Sequence, residues 1–433
     1  MTAPALPDED EREERPPVIV EDPDMAVGSG PRPILLIEGD NRDALRWIAQ
    51  TRRGAIDVVY IDPPYNTGRG DLPYDDRFAR VPGGAGHAEW LSFMAPRLRL
   101  ARNLLTEDGV LIVSIDDNEF AHLKLLLDDV FGERNYVGNI IRATNSMKSN
   151  STFLSINYDH TFVYARDKAG LEARLRAGGR RWAVPKNNVE EYRRQVERLQ
   201  RLGLSRERVA EELKELTKYP RFVDFVNYWY VDDRGLYRKG DLGGVRDGNA
   251  TPLRNPLTGR DDPVPPGGFR FGPAELERLA AEDRIHFHTD GSLPTIKRYL
   301  DAHPTQRPKG IMSDDQRPDA NLLEAMGLTF DNPKQLAFMR RILGIFDPDA
   351  TILDFFAGSG TTGHAVLALN ADDGGTRECI LCTDGASDIC RTVTHPRLRM
   401  AIEGYVDRRL QRRTGRVAHV PGLGGSLRFF TAS

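Results

Sequence analysis

An apolar run, Val58-Val59-Tyr60-Ile61, stops abruptly at Asp62-Pro63-Pro64-Tyr65, and few features constrain a fold more. A continuous run of this kind reads as a strand buried on both faces. Two consecutive prolines cannot continue its ladder, because each fixes φ and lacks an N–H. The strand therefore ends in a rigid polar tip delivered to a cleft, with nearby carbonyls left to accept from something other than a neighbouring strand. An aspartate, a spare carbonyl and an aromatic face together suit a planar ring bearing an exocyclic amine. That is the chemistry of an adenine or cytosine amino group.

Runs of the same type recur and alternate with helical spacing. A short strand is expected over 34–37, ending at Glu38-Gly39-Asp40, with a helix over 42–52 and the tip-bearing strand over 57–61. A long loop marked by Asn66-Thr67-Gly68 and Pro82-Gly83-Gly84 leads to a helix over 87–105, which carries Trp90, Met94, Leu98 and Ala101 at helical spacing. A strand over 110–115 and a helix over 123–130 come next. Regularity returns late in the chain, with a helix over 333–346 and strands over 351–356 and 379–382. Such alternation implies an α/β fold with a parallel sheet covered on both faces.

Between these halves the character changes. Residues 190–216 are charged and helical, and 221–308 are rich in Tyr, Trp, Arg, Gly and Pro, including Tyr228-Trp229-Tyr230. The expected organisation is a disordered acidic tail (1–30), a first catalytic half (31–170), an inserted irregular α+β module (171–320), a cofactor-binding half (321–415) and a C-terminal tail (416–433). A chain of 433 residues has room for one large α/β domain and such an insertion.

Composition excludes several classes. No run of 18 or more apolar residues suggests a membrane span, and no secretory signal opens the chain. Three cysteines argue against a disulfide framework and for a reducing cytoplasm. Cys379-x-x-Cys382 lies inside an apolar run with no second pair, so zinc is not expected there. A net charge of −4 is not that of a nucleic-acid coat protein, but only the field at the contact face decides binding.

A second tip stands at Ile352-Leu353-Asp354-Phe355-Phe356-Ala357-Gly358-Ser359-Gly360-Thr361-Thr362-Gly363. Gly358, Gly360 and Gly363 satisfy G-x-G-x-x-G, which permits a tight turn and close backbone approach to a ligand. A nicotinamide-cofactor turn would look similar. A phosphate-binding loop is disfavoured, since His364 stands where its lysine should be. In a doubly wound sheet, ligands sit beyond the carboxyl ends of the strands, where strand order reverses. If the two tips are neighbours there, one holds a cofactor and the other an amine.

Taken together, Asp62-Pro63-Pro64-Tyr65 and Phe356-Ala357-Gly358-Ser359-Gly360 resemble the β class of S-adenosylmethionine-dependent amino methyltransferases acting on DNA, in which the catalytic motif precedes the cofactor motif. More closely, the chain resembles modification subunits of type III restriction–modification systems. The likeness is carried by Tyr65-Asn66-Thr67-Gly68, Trp90-Leu91-Ser92-Phe93-Met94, the stretch from Gly109 to Asp117, Asn157-Tyr158-Asp159-His160, Asn255-Pro256-Leu257-Thr258-Gly259 and the stretch from Asp354 to Ala365. It implies a circularly permuted Rossmann-like sheet, with S-adenosyl-L-methionine as cofactor and double-stranded DNA as substrate. A homodimer and a restriction subunit on another chain are implied as partners, and no membrane.

The resemblance further implies that Asp354, Phe356, Gly358 and Gly360 cradle the cofactor. Asp40 would lie by its adenine, and Pro333-Lys334 would begin a helix at its methionine end. Asp40 also reads as a helix cap. Some relatives place a glutamate near Ala386, and here Asp384 is the candidate for that role. The catalytic set is Asp62, Pro63, Pro64 and Tyr65. Asp62 and the Pro63 carbonyl would accept the two amine hydrogens, while Tyr65 stacks on a flipped-out base. No metal or covalent intermediate enters this chemistry. The aspartate favours adenine N6. Cytosine N4, a nicotinamide-dependent oxidoreductase and a non-catalytic DNA-binding relative are the alternatives.

Overall fold

The computed structural model describes residues 17–68, 85–144, 153–154, 156–179, 182–314, 317–385 and 388–432. The acidic cluster of residues 8–14 lies outside them. The chain forms two compact units, one of 1–182 with 308–433 and the other of 183–307. The insertion is thus shorter at both ends than the 171–320 expected.

The larger unit is built on a ten-stranded sheet. In chain order its strands are β1 (Ile19–Gly28), β2 (Ile34–Glu38), β3 (Ile56–Ile61), β4 (Leu105–Ile115), β5 (Tyr136–Thr144), β6 (Tyr158–Ala165), β7 (Ile311–Asp314), β8 (Thr351–Asp354), β9 (Glu378–Thr383) and β10 (Ser426–Ala432). Their spatial order is β1-β10-β2-β9-β8-β3-β4-β6-β5-β7. Pairing is parallel from β10 through β4. Strands β1 and β6 run antiparallel to their neighbours. From β3 the chain winds outward to β7, and then returns at β8 to build the other side. The boundary between β3 and β8 is the switch point of the sheet.

Two apolar layers explain why the strands read as continuous hydrophobic runs. One face packs Ile37, Val59, Ile61, Leu111 and Leu353 under helices α1 (Asn41–Thr51), α2 (Ala85–Leu104) and α3 (Phe120–Phe131). The other packs Leu36, Val58, Tyr60, Ile112 and Ile352 under α4 (Leu336–Leu343), α5 (Thr361–Asp373) and α6 (His395–Glu403). Cys379 and Cys382 show the alternation. Three residues apart on β9, they fall in opposite layers, so the pair cannot serve one ion. Burial pushes both thiols up, and that of Cys390 to about 12.

Both segments expected as tails contribute strands. β10 inserts between β1 and β2, with Phe429 fully buried and Arg428 paired to Glu21 of β1. The reason is local: Ser426 to Ala432 carries Leu427, Phe429 and Phe430 behind a glycine turn, too short a run to declare itself. Among the described residues no helix is long and apolar enough to cross a membrane.

The smaller unit has its own cores. Helices Val189–Arg201 and Arg206–Leu216 turn Tyr192, Val196, Val209 and Leu213 inward onto Phe222 and Phe225. The Tyr192 and Phe225 rings stack at 4.2 Å. A four-stranded antiparallel sheet, with strands Ile285–His286, Thr295–Tyr299, Gly235–Gly240 and Tyr230–Asp232 in that order, accompanies them. Buried Asn255 donates to Asp262 at 2.8 Å and to the His288 carbonyl at 2.9 Å, and accepts from the Leu257 N–H at 2.8 Å. The Asn255-Pro256-Leu257 segment is therefore a structural turn.

If β10 is part of the core, Phe429→Ala should destabilise the chain by about 3–5 kcal/mol, the usual cost of emptying a buried aromatic site. Urea unfolding checks it. A change within experimental error would mean the segment behaves as a tail.

Candidate active site

Strands β3 and β8 lie side by side and parallel, with Val58 opposite Ile352 and Val59 opposite Leu353. Their carboxyl ends bring Asp62 and Asp354 to one edge of the sheet. The glycine-rich turn after β8 arises from backbone demands. Gly358 and Gly360 have φ of 48° and 76°, in the left-handed region that side chains avoid. A Cβ on Gly363 would meet Leu381 and Leu398 at 2.8 Å, so the third glycine lets α5 close onto the sheet. Asp354 is buried and accepts from the Thr362 hydroxyl at 2.5 Å and the Phe356 N–H at 3.0 Å. Burial pushes its carboxyl up to about 7, and the charge of Asp62 adds to the rise.

At the other tip, Tyr65 donates its hydroxyl to Asp62 Oδ1 at 2.7 Å. Trp90 Nε1 donates to the Pro64 carbonyl at 2.8 Å, which leaves the Pro63 carbonyl as the acceptor of the prolyl pair. Lys334 reaches both residues. Its Nζ stands 3.1 Å from Asp62 Oδ1, donates to the Tyr65 hydroxyl, and lies 5.0 Å from the Tyr65 ring centre.

The lysine is not where sequence reasoning put it. α4 begins at Leu336 with Gln335 as its cap, so Lys334 precedes the helix. The cause is Asp319, whose carboxylate takes the Leu336 N–H at 2.7 Å and satisfies the first turn from outside.

Asp40 does cap α1, accepting from the Arg42 N–H at 2.7 Å, and its second oxygen meets Arg97 Nη2 at 3.0 Å. Arg97 also lies over the Phe93 ring at 3.8 Å. That ring is 6.0 Å from Phe356. Asn41 donates to the Phe355 carbonyl at 2.7 Å, tying the end of β2 to the turn after β8. Asp384 is exposed just beyond β9, with Gly39 N–H bonded to the Thr383 carbonyl at 2.9 Å beside it. Ala386 and Ser387 lie outside the described residues. The structure thus brings Asp62, Pro63, Pro64, Tyr65, Lys334, Asp354, Phe356, Gly358 and Gly360 to the switch point, with Asp384 beyond the end of β9, which neighbours β8, and Asp40 beyond the end of β2, one strand further out.

Two supporting groups escaped sequence reasoning. Asp159 opens β6 and is gripped by Arg142 of β5, through Nε at 2.8 Å and through Nη2, while Lys334 stands at 3.2 Å. Burial raises the Asp159 carboxyl, but Lys334 and Arg142 outweigh it and hold the group below its ordinary value. Arg397, wholly buried on α6, braces the glycine turn by donating to Thr361 Oγ1 at 2.7 Å and Ser359 Oγ at 3.0 Å. The one signal for Asp159 and Arg142 was a charge on each of two strands otherwise uncharged, which does not identify the pair.

Comparison with known proteins agrees with this geometry. A family model described as "DNA methylase" matches residues 56–393. The Mod subunit of the type III restriction-modification enzyme StyLTI of Salmonella typhimurium is 32% identical over 379 residues, 81% of this chain and 52% of that protein. The EcoP15I Mod subunit of Escherichia coli is 28% identical over 372 residues, 78% of this chain and 56% of that one. The type II methyltransferase M.KpnI of Klebsiella pneumoniae is 31% identical over 368 residues, 79% and 78%. The chain spans about half the length of the type III subunits it matches.

The raised Asp354 carboxyl has a pH signature. An aspartate with an ordinary value of 3.8 that titrates near 7 when folded binds more protons in the native state across that window, so stability falls as pH rises through it. Asp354→Asn should flatten the slope, removing up to about 3 kcal/mol of the difference between pH 5 and pH 8, since about two units of the shift fall in that window at ~1.36 kcal/mol per unit. Urea melts of both proteins at pH 5 and pH 8 test it, and an identical slope in the variant would place the titration elsewhere.

Proposed function

The chain belongs to the DNA methylase family, and on that footing we propose that it is a site-specific DNA methyltransferase, transferring a methyl group from S-adenosyl-L-methionine to adenine N6 in a flipped-out base. The observation that carries the reading is the pairing of β3 with β8, which sets an amine-binding tip against a glycine-rich turn at the switch point.

The residues present suit the cofactor. Asp62 and Asp354 face one crevice, and the pressure on Asp354 to keep its proton is what a cationic ligand relieves. The two left-handed glycines open the backbone beside it. Asp354, Phe356, Gly358 and Gly360 would hold the cofactor, with Asp40 and Asp384 toward its nucleoside end. Lys334, already lodged among carboxylates, would border its methionine end. When bound, the cofactor supplies an electrophilic sulfonium methyl.

Everything else falls to this chain's own groups. An adenine N6 lone pair is delocalised into the ring and is a poor nucleophile. Asp62 and the Pro63 carbonyl, each accepting one N6 hydrogen, favour a pyramidal nitrogen whose lone pair is localised and aimed. Tyr65 stacks on the base, and its hydroxyl bond to Asp62 fixes the carboxylate. The Trp90 bond to the Pro64 carbonyl stiffens the tip. Positioning and electrostatic complementarity supply most of the acceleration. A base stacked in a duplex cannot reach such a pocket, so it must be extruded.

The 183–307 unit is the target-recognition module in this reading. The protein acts in the cytoplasm as a homodimer and pairs with a restriction subunit on another chain. Relatives named as Mod subunits of type III restriction-modification enzymes support the restriction partner.

The test is methyl transfer to unmodified DNA, followed by identification of the modified base. N6-methyladenine is expected, and Asp62→Ala should lose on the order of a hundredfold or more in rate, as when a preorganised partner of a developing charge is removed. Transfer that survives Asp62→Ala would end the proposed mechanism, and N4-methylcytosine in place of N6-methyladenine would correct the base.

A further inference from the structure

Glu119 immediately precedes α3, and its side chain is fully buried. Among the described residues its ion-pair contacts are two imidazoles, His87 on the first turn of α2 and His122 on the first turn of α3. A buried carboxylate needs a cation or a full set of donors. Glu119 has half of one. Oε1 accepts from the Asn66 amide and stands 2.7 Å from His87 Nδ1. Oε2 lies 2.9 Å from His122 Nδ1, yet neither atom takes part in a hydrogen bond. A carboxylate oxygen and an imidazole nitrogen at that separation, outside hydrogen-bond geometry, are well placed to share a cation.

We propose that His87, Glu119 and His122 form a binding site for a borderline divalent cation of the zinc type, which pins Asn66 directly after the 62–65 tip. The ligand atoms all lie within 4.8 Å of one another, and no other such trio is found among the described residues. The imidazoles lie face to face, ring centres 4.3 Å apart and 29° from parallel, so one modest rotation serves both.

The donor set selects the ion. Two imidazole nitrogens and one carboxylate suit zinc, cobalt or nickel, whereas calcium and magnesium favour oxygen alone. Three protein ligands leave an outer position for water. The His87 and His122 side chains are 48% and 39% exposed, while the facing His122 Nδ1 and Glu119 Oε2 atoms are themselves shielded from solvent.

The placement gives the ion a structural task. Asn66 comes directly after Tyr65, is buried, and adopts a left-handed φ of 58°. Its amide bond to Glu119 holds it there. An ion on Glu119 would join the first turns of α2 and α3 and, through Asn66, fix the segment leaving the tip. This role is independent of whether the protein methylates DNA.

Zinc chloride titration of the chelator-treated full chain by calorimetry, with metal analysis after desalting, is the test. One equivalent is expected, with a rise in melting temperature as zinc is added. His122→Ala and His87→Ala should each weaken binding about a hundredfold, since even outer-shell changes cost ~10–100-fold, and should abolish the zinc-dependent rise. Glu119→Gln should do the same if it folds. Because the chain has nine histidines, the two histidine variants, both at partly exposed positions, decide. No bound zinc in the parent chain, or undiminished binding in both variants, overturns the site.

Discussion

The side-by-side, parallel placement of β3 and β8 is the constraint on which the rest of this molecule depends. A sheet that winds outward from one strand and then returns to start again beside it has no crossover covering the ends of that pair, so a crevice opens there. Both strands are buried on both faces over their apolar runs, and their polar residues, Asp57 and Thr351 at one end and Asp354 at the other, fall at the ends. Chemistry is therefore confined to the residues just beyond their apolar runs: Asp62-Pro63-Pro64-Tyr65 on one strand, and Asp354 with the glycine turn on the other. The order of these segments along the chain matters little, because the sheet alone brings them together.

The crevice also has an electrostatic problem. Asp62, Asp159 and Asp354 meet Lys334 and Arg142, three acids against two bases. Arg142 and Lys334 are spent on Asp159 and Asp62, and Asp354, left with hydroxyl and amide donors only, is the one whose carboxyl rises. The imbalance falls beside the glycine turn, where a cationic ligand would remove it. Arg397 behind the same turn works oppositely: wholly buried, it is pushed down to about 10 and spends its donors on hydroxyls and a carbonyl of the turn. A positive charge behind the loop and unanswered negative charge in front give the turn a fixed polarity across its backbone.

Much of this was legible in the residues. β3, β8 and β9 announced themselves because a parallel strand is apolar throughout, and the two tips because prolines and glycines have few other uses at strand ends. The parts that stayed hidden have physical causes. Asp159 and Arg142 matter only as a pair across neighbouring strands, and no spacing reveals a partner. Lys334 read as a helix start because Pro333 invites one, whereas the helix begins later, capped by an aspartate fifteen positions upstream of the lysine. β10 was missed because a short strand at a chain end has no helix after it to complete the alternation. Asp40 read as a ligand contact with a helix cap as the alternative, and its two oxygens are divided: one closes α1 and the other faces Arg97.

The arginines of the smaller unit sharpen what DNA recognition would require. Four on its helices are answered within a turn: Arg193 by Glu190, Arg201 by Glu197, Arg208 by Glu211 and Glu212, Arg278 by Glu275 and Glu282. Exposed pairs at such spacing contribute only a few tenths of a kcal/mol each to stability. They do, however, cancel the field that would draw in a polyanion. Those four positions of the charge-rich helices are therefore poor places for a phosphate contact. Asn255, within the 255–259 segment that carries part of the resemblance, is consumed in closing a turn. If the unit reads DNA, the reading belongs to its irregular segments, where side chains are not already committed to a neighbour one helical turn away, and where sequence likeness among relatives would be least expected to persist.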